Sequence, residues 1–198
     1  VFTKDVGGGE WFQLYRYDME GGAITLLTDG KSRNESPVFD RDGKRIVYTS
    51  TRRTGRDNDL YTMDPADPKT DRLLAQVEGG GWGPTDWSPD GKQIAVIEFI
   101  SINETRLWLV DAATGQKKLL TPPAASEQVA YTGARFSHDG KSLYVTTDKD
   151  FEFQRLARMD LATGKLNDLT SDIPWDVSDF EVSCDGRKIA FVTNEAGV

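Results

Sequence analysis

One six-residue turn occurs four times in this chain, and it limits the possible folds more than any other feature. The copies are Phe39-Asp40-Arg41-Asp42-Gly43-Lys44, Trp87-Ser88-Pro89-Asp90-Gly91-Lys92, Phe136-Ser137-His138-Asp139-Gly140-Lys141 and Val182-Ser183-Cys184-Asp185-Gly186-Arg187. Aspartate in such a turn bonds nearby backbone, and glycine takes the conformation that a β-carbon forbids; in one copy Pro89 also presets φ. The turn glycines stand 48, 49 and 46 residues apart. Each turn leads into an apolar, β-branched run: Ile46-Val47-Tyr48-Thr49, Ile94-Ala95-Val96-Ile97, Leu143-Tyr144-Val145-Thr146 and Ile189-Ala190-Phe191-Val192.

Two further landmarks keep the same period. The first is Leu14-Tyr15-Arg16-Tyr17-Asp18, Leu60-Tyr61-Thr62-Met63-Asp64, Leu107-Trp108-Leu109-Val110-Asp111 and Leu156-Ala157-Arg158-Met159-Asp160. The second is Leu26-Leu27-Thr28, Leu73-Leu74-Ala75, Leu119-Leu120-Thr121 and Asp168-Leu169-Thr170. Strand-length segments, four to a unit of forty-odd residues and without an amphipathic helix, predict an all-β chain: a β-propeller of four-stranded antiparallel blades. With strands A to D in each unit, strands B, C and D of a first unit precede three full units, and strands A and B of a fifth follow. The predicted division is a partial blade at 1–35, blades at 36–83, 84–132 and 133–177, and a partial blade at 178–198. Val1-Phe2-Thr3-Lys4 matches a strand B and Gly197-Val198 follows another, so the expectation is about four repeats cut from a larger propeller.

Composition removes several classes of function. The 24 basic and 32 acidic residues leave a net charge of −8, which argues against nucleic acid as a partner. One cysteine excludes an internal disulfide and a cysteine-rich metal site. No apolar run approaches the roughly 20 residues of a membrane helix, so no membrane insertion is expected. The expectation is a soluble protein, cytoplasmic or periplasmic, and the composition does not separate the two.

Up-and-down strands place the A–B and C–D turns on one face and the B–C and D–A connections on the other. The C–D turns are short and plain (Met19-Glu20-Gly21-Gly22, Pro65-Ala66-Asp67-Pro68, Ala113-Thr114-Gly115, Ala162-Thr163-Gly164). The B–C connections (5–12, 51–59, 98–105, 148–154) and the D–A connections (29–35, 76–84, 122–132, 171–177) read as long and irregular, and they also hold Trp11 and Phe12. Binding residues concentrate on loops over a rigid scaffold. Arg52, Arg53, Arg56, Trp82, Phe151 and Trp175 are therefore the candidates for substrate or interdomain binding, because arginine forks and aromatic plates carry much of the energy at interfaces.

Other motifs reduce to structure. His138 and Cys184 fall at exposed turn tips, the latter as a free thiol. Gly7-Gly8-Gly9 and Gly79-Gly80-Gly81 lack the ending and the following helix of a phosphate loop. Asp57-Asn58-Asp59 and the aspartates around Gly43 lack a calcium-ligand array and read as turn chemistry, so no metal or cofactor is expected. No Gly-x-Ser-x-Gly elbow occurs, and no catalytic residue is assigned within the chain.

The unit Ser-Pro-Asp-Gly-Lys-x-Ile-Ala, followed by Leu-Trp-Leu-Val-Asp and Leu-Leu-Thr, resembles the propeller repeat shared by TolB and the prolyl oligopeptidase family of serine peptidases. Asp5 to Tyr15 is similar to a segment before an early blade of bacterial members of the peptidase family. Trp175 to Phe180 with Ala190 to Glu195 is similar to a late blade of the same group. The resemblance implies an α/β-hydrolase domain elsewhere in the parent chain that carries the serine, aspartate and histidine. The propeller would cap that site and admit peptides. The paired glutamates by which dipeptidyl peptidases hold an amino terminus are missing, since no Glu-Glu occurs. The alternative is a protein-binding propeller without enzymatic activity, as in TolB; a third reading is a plain scaffold propeller.

Overall fold

The structure, a computed structural model, describes residues 1–122 and 128–196. Part of the 122–132 connection and the terminal Gly197-Val198 lie outside the described residues. Strands β1 (Phe2–Lys4), β2 (Gln13–Tyr17) and β3 (Ile24–Leu26) form a three-stranded sheet. Strands β4 (Asn34–Phe39), β5 (Ile46–Ser50), β6 (Asp59–Asp64) and β7 (Asp67–Ala75) form a four-stranded one. So do β8 (Trp82–Trp87), β9 (Gln93–Ser101), β10 (Glu104–Asp111) and β11 (Lys117–Leu119), and then β12 (Tyr131–Phe136), β13 (Ser142–Thr147), β14 (Arg155–Asp160) and β15 (Leu166–Asp168). Strands β16 (Val177–Val182) and β17 (Ile189–Thr193) pair last. Every pairing is antiparallel between chain neighbours, and β4, β8, β12 and β16 pack one on the next. This is a β-propeller with its A strands innermost.

Each landmark makes a particular bond. At the turns, the Ser88 hydroxyl accepts the N–H groups of Lys92 and Gln93 and donates to Asp90, while Ser137 and Ser183 accept the N–H five residues on and donate to the turn aspartate. Asp40 stands in the serine's place and accepts from the N–H groups of Lys44 and Arg45. The turn glycines all have φ between 66° and 68°. The aspartates that end strand C, Asp18, Asp111 and Asp160, accept N–H groups two and three residues on and so fold the C–D turn. The closing threonines work across strands: Thr28, Thr121 and Thr170 accept the N–H groups of Leu14, Leu107 and Leu156.

The core lies between the sheets. Ile94 and Val96 point to one side, where they join Val47, Leu60, Trp87 and Val110; Ala95 points to the other, with Leu107, Phe136, Leu143 and Met159. Leu14, Ile46, Tyr48 and Met63 fill the first seam, and Leu156, Val177 and Phe180 the last. A strand that is apolar on both faces is thus a strand with a blade on either side.

One connection departs from expectation. Residues 98–105, read as an irregular loop, continue the β9–β10 hairpin, with Thr105 opposite Phe99 and Glu104 opposite Ser101. Phe99, Ile100 and Thr105 have the aromatic and β-branched side chains that favour pairing. The N–H of Phe99 also donates to the Gly81 carbonyl at 2.7 Å, a close approach that a β-carbon on residue 81 would block. Trp82, Gly83 and Pro84 likewise belong to β8, an edge strand of its sheet, where proline interrupts no ladder.

Candidate functional site

The B–C and D–A connections are held by side chains that differ from unit to unit. Arg52 turns back against its own blade: it donates to Asp71 at 2.5 Å, to the Tyr48 hydroxyl at 2.6 Å and to Ser50, with its guanidinium 4.1 Å from the centre of the Tyr61 ring. Tyr48 in turn donates to Asp71 at 2.6 Å. Burial, and then the Asp71 charge, push the Tyr48 phenol far above its ordinary value. Burial works against the Arg52 charge, yet the bonds to Asp71 hold its guanidinium above the usual value.

Arg53 is equally committed. Its guanidinium forks onto fully buried Asp59 at 2.6 and 2.9 Å and also donates to the Val77 carbonyl. Asp59 accepts the Val77 N–H, so this pair fastens the following D–A connection to its blade. Asp57 and Asn58 extend the clamp. Asp57 accepts the Gly79 N–H at 2.8 Å, and Asn58 donates to the Gly80 carbonyl at 2.7 Å. The triplet read as turn chemistry therefore works over some twenty residues of chain, while the Asp40 turn is local as expected. Among the described residues no group of three or more acidic, histidine or cysteine side chains is placed to hold a metal.

The six candidate side chains fall into separate places. Trp82 is only 7% exposed; its indole N–H donates to the Glu78 carbonyl and its ring lies 5.3 Å from that of Trp108. Arg53 and Trp82 border a hollow of about 390 Å³ with Glu98, Arg106, Trp108 and Lys117. Most polar groups there already engage one another: Trp108 donates to Glu98, Arg106 pairs with Glu104, and Lys117 donates to the Gln76 carbonyl beside the Trp82 ring. Phe151 is partly exposed beneath the Arg155 guanidinium, and Trp175 lies half-buried in the next connection.

Arg56 lines a different cleft, of about 290 Å³, where the first two sheets meet. Glu10 and Trp11 come from the first B–C connection, Arg33 from the first D–A connection, and Arg56 and Asn58 from the second B–C connection. Trp11 is 54% exposed and the Arg56 side chain 85%. A scaffold fixes these loops. Gln13 donates to the carbonyls of Trp11 and Ser32 and accepts from Thr28, Gly30 and buried Asn34. Thr51 and Arg33 exchange bonds that tie the two connections together. Asp57 sits beneath Arg56 with its carboxyl held below the usual range, by the Gly79 N–H first and then by the Thr54 hydroxyl, Arg56 and Arg53.

Glu10 and Arg33 escaped the sequence reading, and Asn58 entered it only as part of a turn motif. Only spatial proximity unites them, and the one local oddity, φ of 57° at Glu10, is not visible in the sequence. On the opposite face, Arg41, Pro89, His138 and Cys184, the same position in four turns, border one hollow of about 300 Å³. His138 and Cys184 are exposed there.

No protein-family model matches the sequence. Dipeptidyl-peptidase 5 of Porphyromonas gingivalis is 28% identical over 177 residues, which is 84% of this chain and 25% of that protein. The chain spans about a quarter of the length of the curated relatives it matches first. The crystal structure of TolB from Acinetobacter baumannii superposes with a TM-score of 0.75 at 25% identity, over 96% of this chain and 45% of that one. Prolyl oligopeptidase B from Galerina marginata shares the fold at a TM-score of 0.67 and 14% identity, over 94% and 30% of the two chains. In sequence and fold, the chain is a β-propeller domain related both to TolB and to peptidases such as dipeptidyl-peptidase 5, in a fold that prolyl oligopeptidase shares.

Proposed function

We propose that this propeller is the non-catalytic part of a prolyl oligopeptidase-like serine peptidase, with its loop-bearing face turned toward peptide substrate. The observation that carries this reading is the similarity to dipeptidyl-peptidase 5 along 84% of the chain. The chemistry would belong to a companion α/β-hydrolase domain of the same parent protein, whose serine attacks the peptide carbonyl. The propeller would exclude folded proteins by size and position extended peptides. The cleft walled by Trp11, Arg33 and Arg56 supports this role, because it offers an aromatic plate and two arginines on loops braced from below.

A second reading is a protein-binding module of the TolB kind, favoured by the higher TM-score and identity of the Acinetobacter baumannii structure. Fluorophosphonate labelling of the full-length parent beside the 198-residue chain separates the two. Labelling of the parent alone is the expected result. If neither labels, the peptidase reading is wrong and the loop face is a protein-docking surface.

A further inference from the structure

Two guanidinium groups border the Trp11 cleft with hydrogen-bonding capacity to spare. Arg33 is held through Nε by Glu35 at 3.0 Å, and its terminal nitrogens make no hydrogen bond among the described residues. Arg56 has only a 3.5 Å approach to an Asp57 oxygen that already accepts the Gly79 N–H at 2.8 Å. Elsewhere on this face the arginines are consumed by structure, Arg52 by Asp71 and Tyr48 and Arg53 by Asp59.

The lining of the cleft holds two arginines and one carboxylate, Glu10, with Glu35 paired to the Arg33 Nε and Asp57 beneath Arg56. Asp57 is itself engaged, accepting the Gly79 N–H at 2.8 Å and approached by Arg53 at 3.4 Å, and it leaves the Arg56 terminal nitrogens without a close partner among the described residues. Guanidinium forks match a carboxylate with two parallel N–H bonds, and an indole beside them covers the apolar part of a bound residue. Gly55, at φ of 80°, has open space where a β-carbon would stand, so a ligand backbone can come close to the loop.

We infer that this cleft binds the carboxylate of a peptide through Arg33 and Arg56, with Trp11 packing against the residue that bears it. The inference rests on the reading of the loop face as the side that meets peptides. The carboxylate has two sources, a free C-terminus or an acidic side chain. Glu10 on the rim opposes either one, so its removal strengthens binding.

The test is calorimetric titration of the 198-residue protein with three probes: acetyl-Ala-Ala-Ala with a free C-terminus, the same peptide as its amide, and acetyl-Ala-Glu-Ala-amide. The free acid is expected to bind saturably and the plain amide at least about tenfold more weakly, the scale of one charged hydrogen bond. Binding of acetyl-Ala-Glu-Ala-amide as tightly as the free acid assigns the site to side chains; weak binding assigns it to chain ends. Arg56→Ala and Arg33→Ala are each expected to weaken the acid about tenfold, and Arg56→Lys less, since it keeps charge without the fork. Glu10→Gln is expected to tighten binding about twofold, and added salt to loosen it. Equal affinity for acid and amide overturns the inference, as does an unchanged affinity in Arg56→Ala, or no saturable binding of either carboxylate probe. If the amide binds equally and Trp11→Ala abolishes it, the peptide-facing reading survives and the carboxylate clamp alone fails.

Discussion

The two faces of this propeller differ in how far their side-chain bonds repeat. On the turn face the same bonds recur in each unit, within five residues of chain: a serine or aspartate gathers the N–H groups after the turn, and a strand-ending aspartate gathers those of the next turn. On the loop face the closing threonines and a backbone bond spanning 18 residues repeat, but the side-chain anchors of the connections do not. The Gln13–Asn34 node belongs to the first unit, the Arg52–Asp71–Tyr48 triad and the Arg53–Asp59 fork to the second, and the bond from Arg155 to the Thr170 carbonyl to the fourth. Repetition specifies the blades; the departures from it specify what the blades present.

The greatest loss is expected where the repeat reaches between blades. Trp87 is fully buried, donates its indole N–H to the Val38 carbonyl of the neighbouring sheet at 3.0 Å and lies 4.6 Å beneath the Arg45 guanidinium. Trp87→Ala should cost about 3–5 kcal/mol in urea unfolding. A cost below about 1 kcal/mol would mean that the seam between these sheets does not limit stability. On the loop face, Arg53→Ala strips buried Asp59 of its guanidinium and loosens the D–A connection. It should lower the unfolding midpoint more than the loss of any single turn staple, and speed amide exchange at Val77 and Gly79; a midpoint equal to that of the parent would show the fork to be dispensable.

Within the repeat, Asp40 and Ser88 hold the same position with different chemistry. Each Ala substitution should cost about 1 kcal/mol at neutral pH. Burial pushes the Asp40 carboxyl up, but the bonds from Arg45 and the Lys44 N–H outweigh it and leave the group below its usual range. Because the folded value is the lower one, the Asp40 contribution is present at neutral pH and lost as the pH falls through that value. The Asp40→Ala deficit should therefore shrink in acid, and the Ser88→Ala deficit should not. Unfolding curves at pH 7 and pH 3 make the comparison; parallel behaviour would show that the charge on Asp40 does no more than a hydroxyl.

These rules also decide what the sequence could disclose. The blades were legible because turn, strand C and strand D landmarks are local and periodic, and each makes a bond within its own unit. The face that carries the long connections followed from strand alternation alone. The cleft did not follow, because Glu10, Arg33 and Arg56 lie on three connections and meet only once the sheets are packed. Nor does sequence distinguish an arginine consumed by structure from one left over. Arg52, Arg53 and Arg56 look alike as residue types, and only the positions of Asp71 and Asp59 separate them. The hairpin at 98–105 was hidden for the converse reason: its polar Ser101, Asn103 and Glu104 resemble loop, while pairing with a neighbouring strand makes it sheet.

The smallest expected effect on stability is therefore the most informative about function. Arg56 lies three residues from Arg53, on the same loop, with its side chain 85% exposed and no close hydrogen bond to give up. Arg56→Ala should leave the unfolding free energy within about 0.5 kcal/mol of the parent, as surface substitutions do. The same variant should lose about tenfold in affinity for a carboxylate-bearing peptide. Arg53→Ala supplies the mirror image, a less stable protein whose remaining folded fraction still binds the acid through Arg33 and Arg56. If instead the two variants lost stability together, the loop would be one structural unit and the division between bracing and presented arginines would fail.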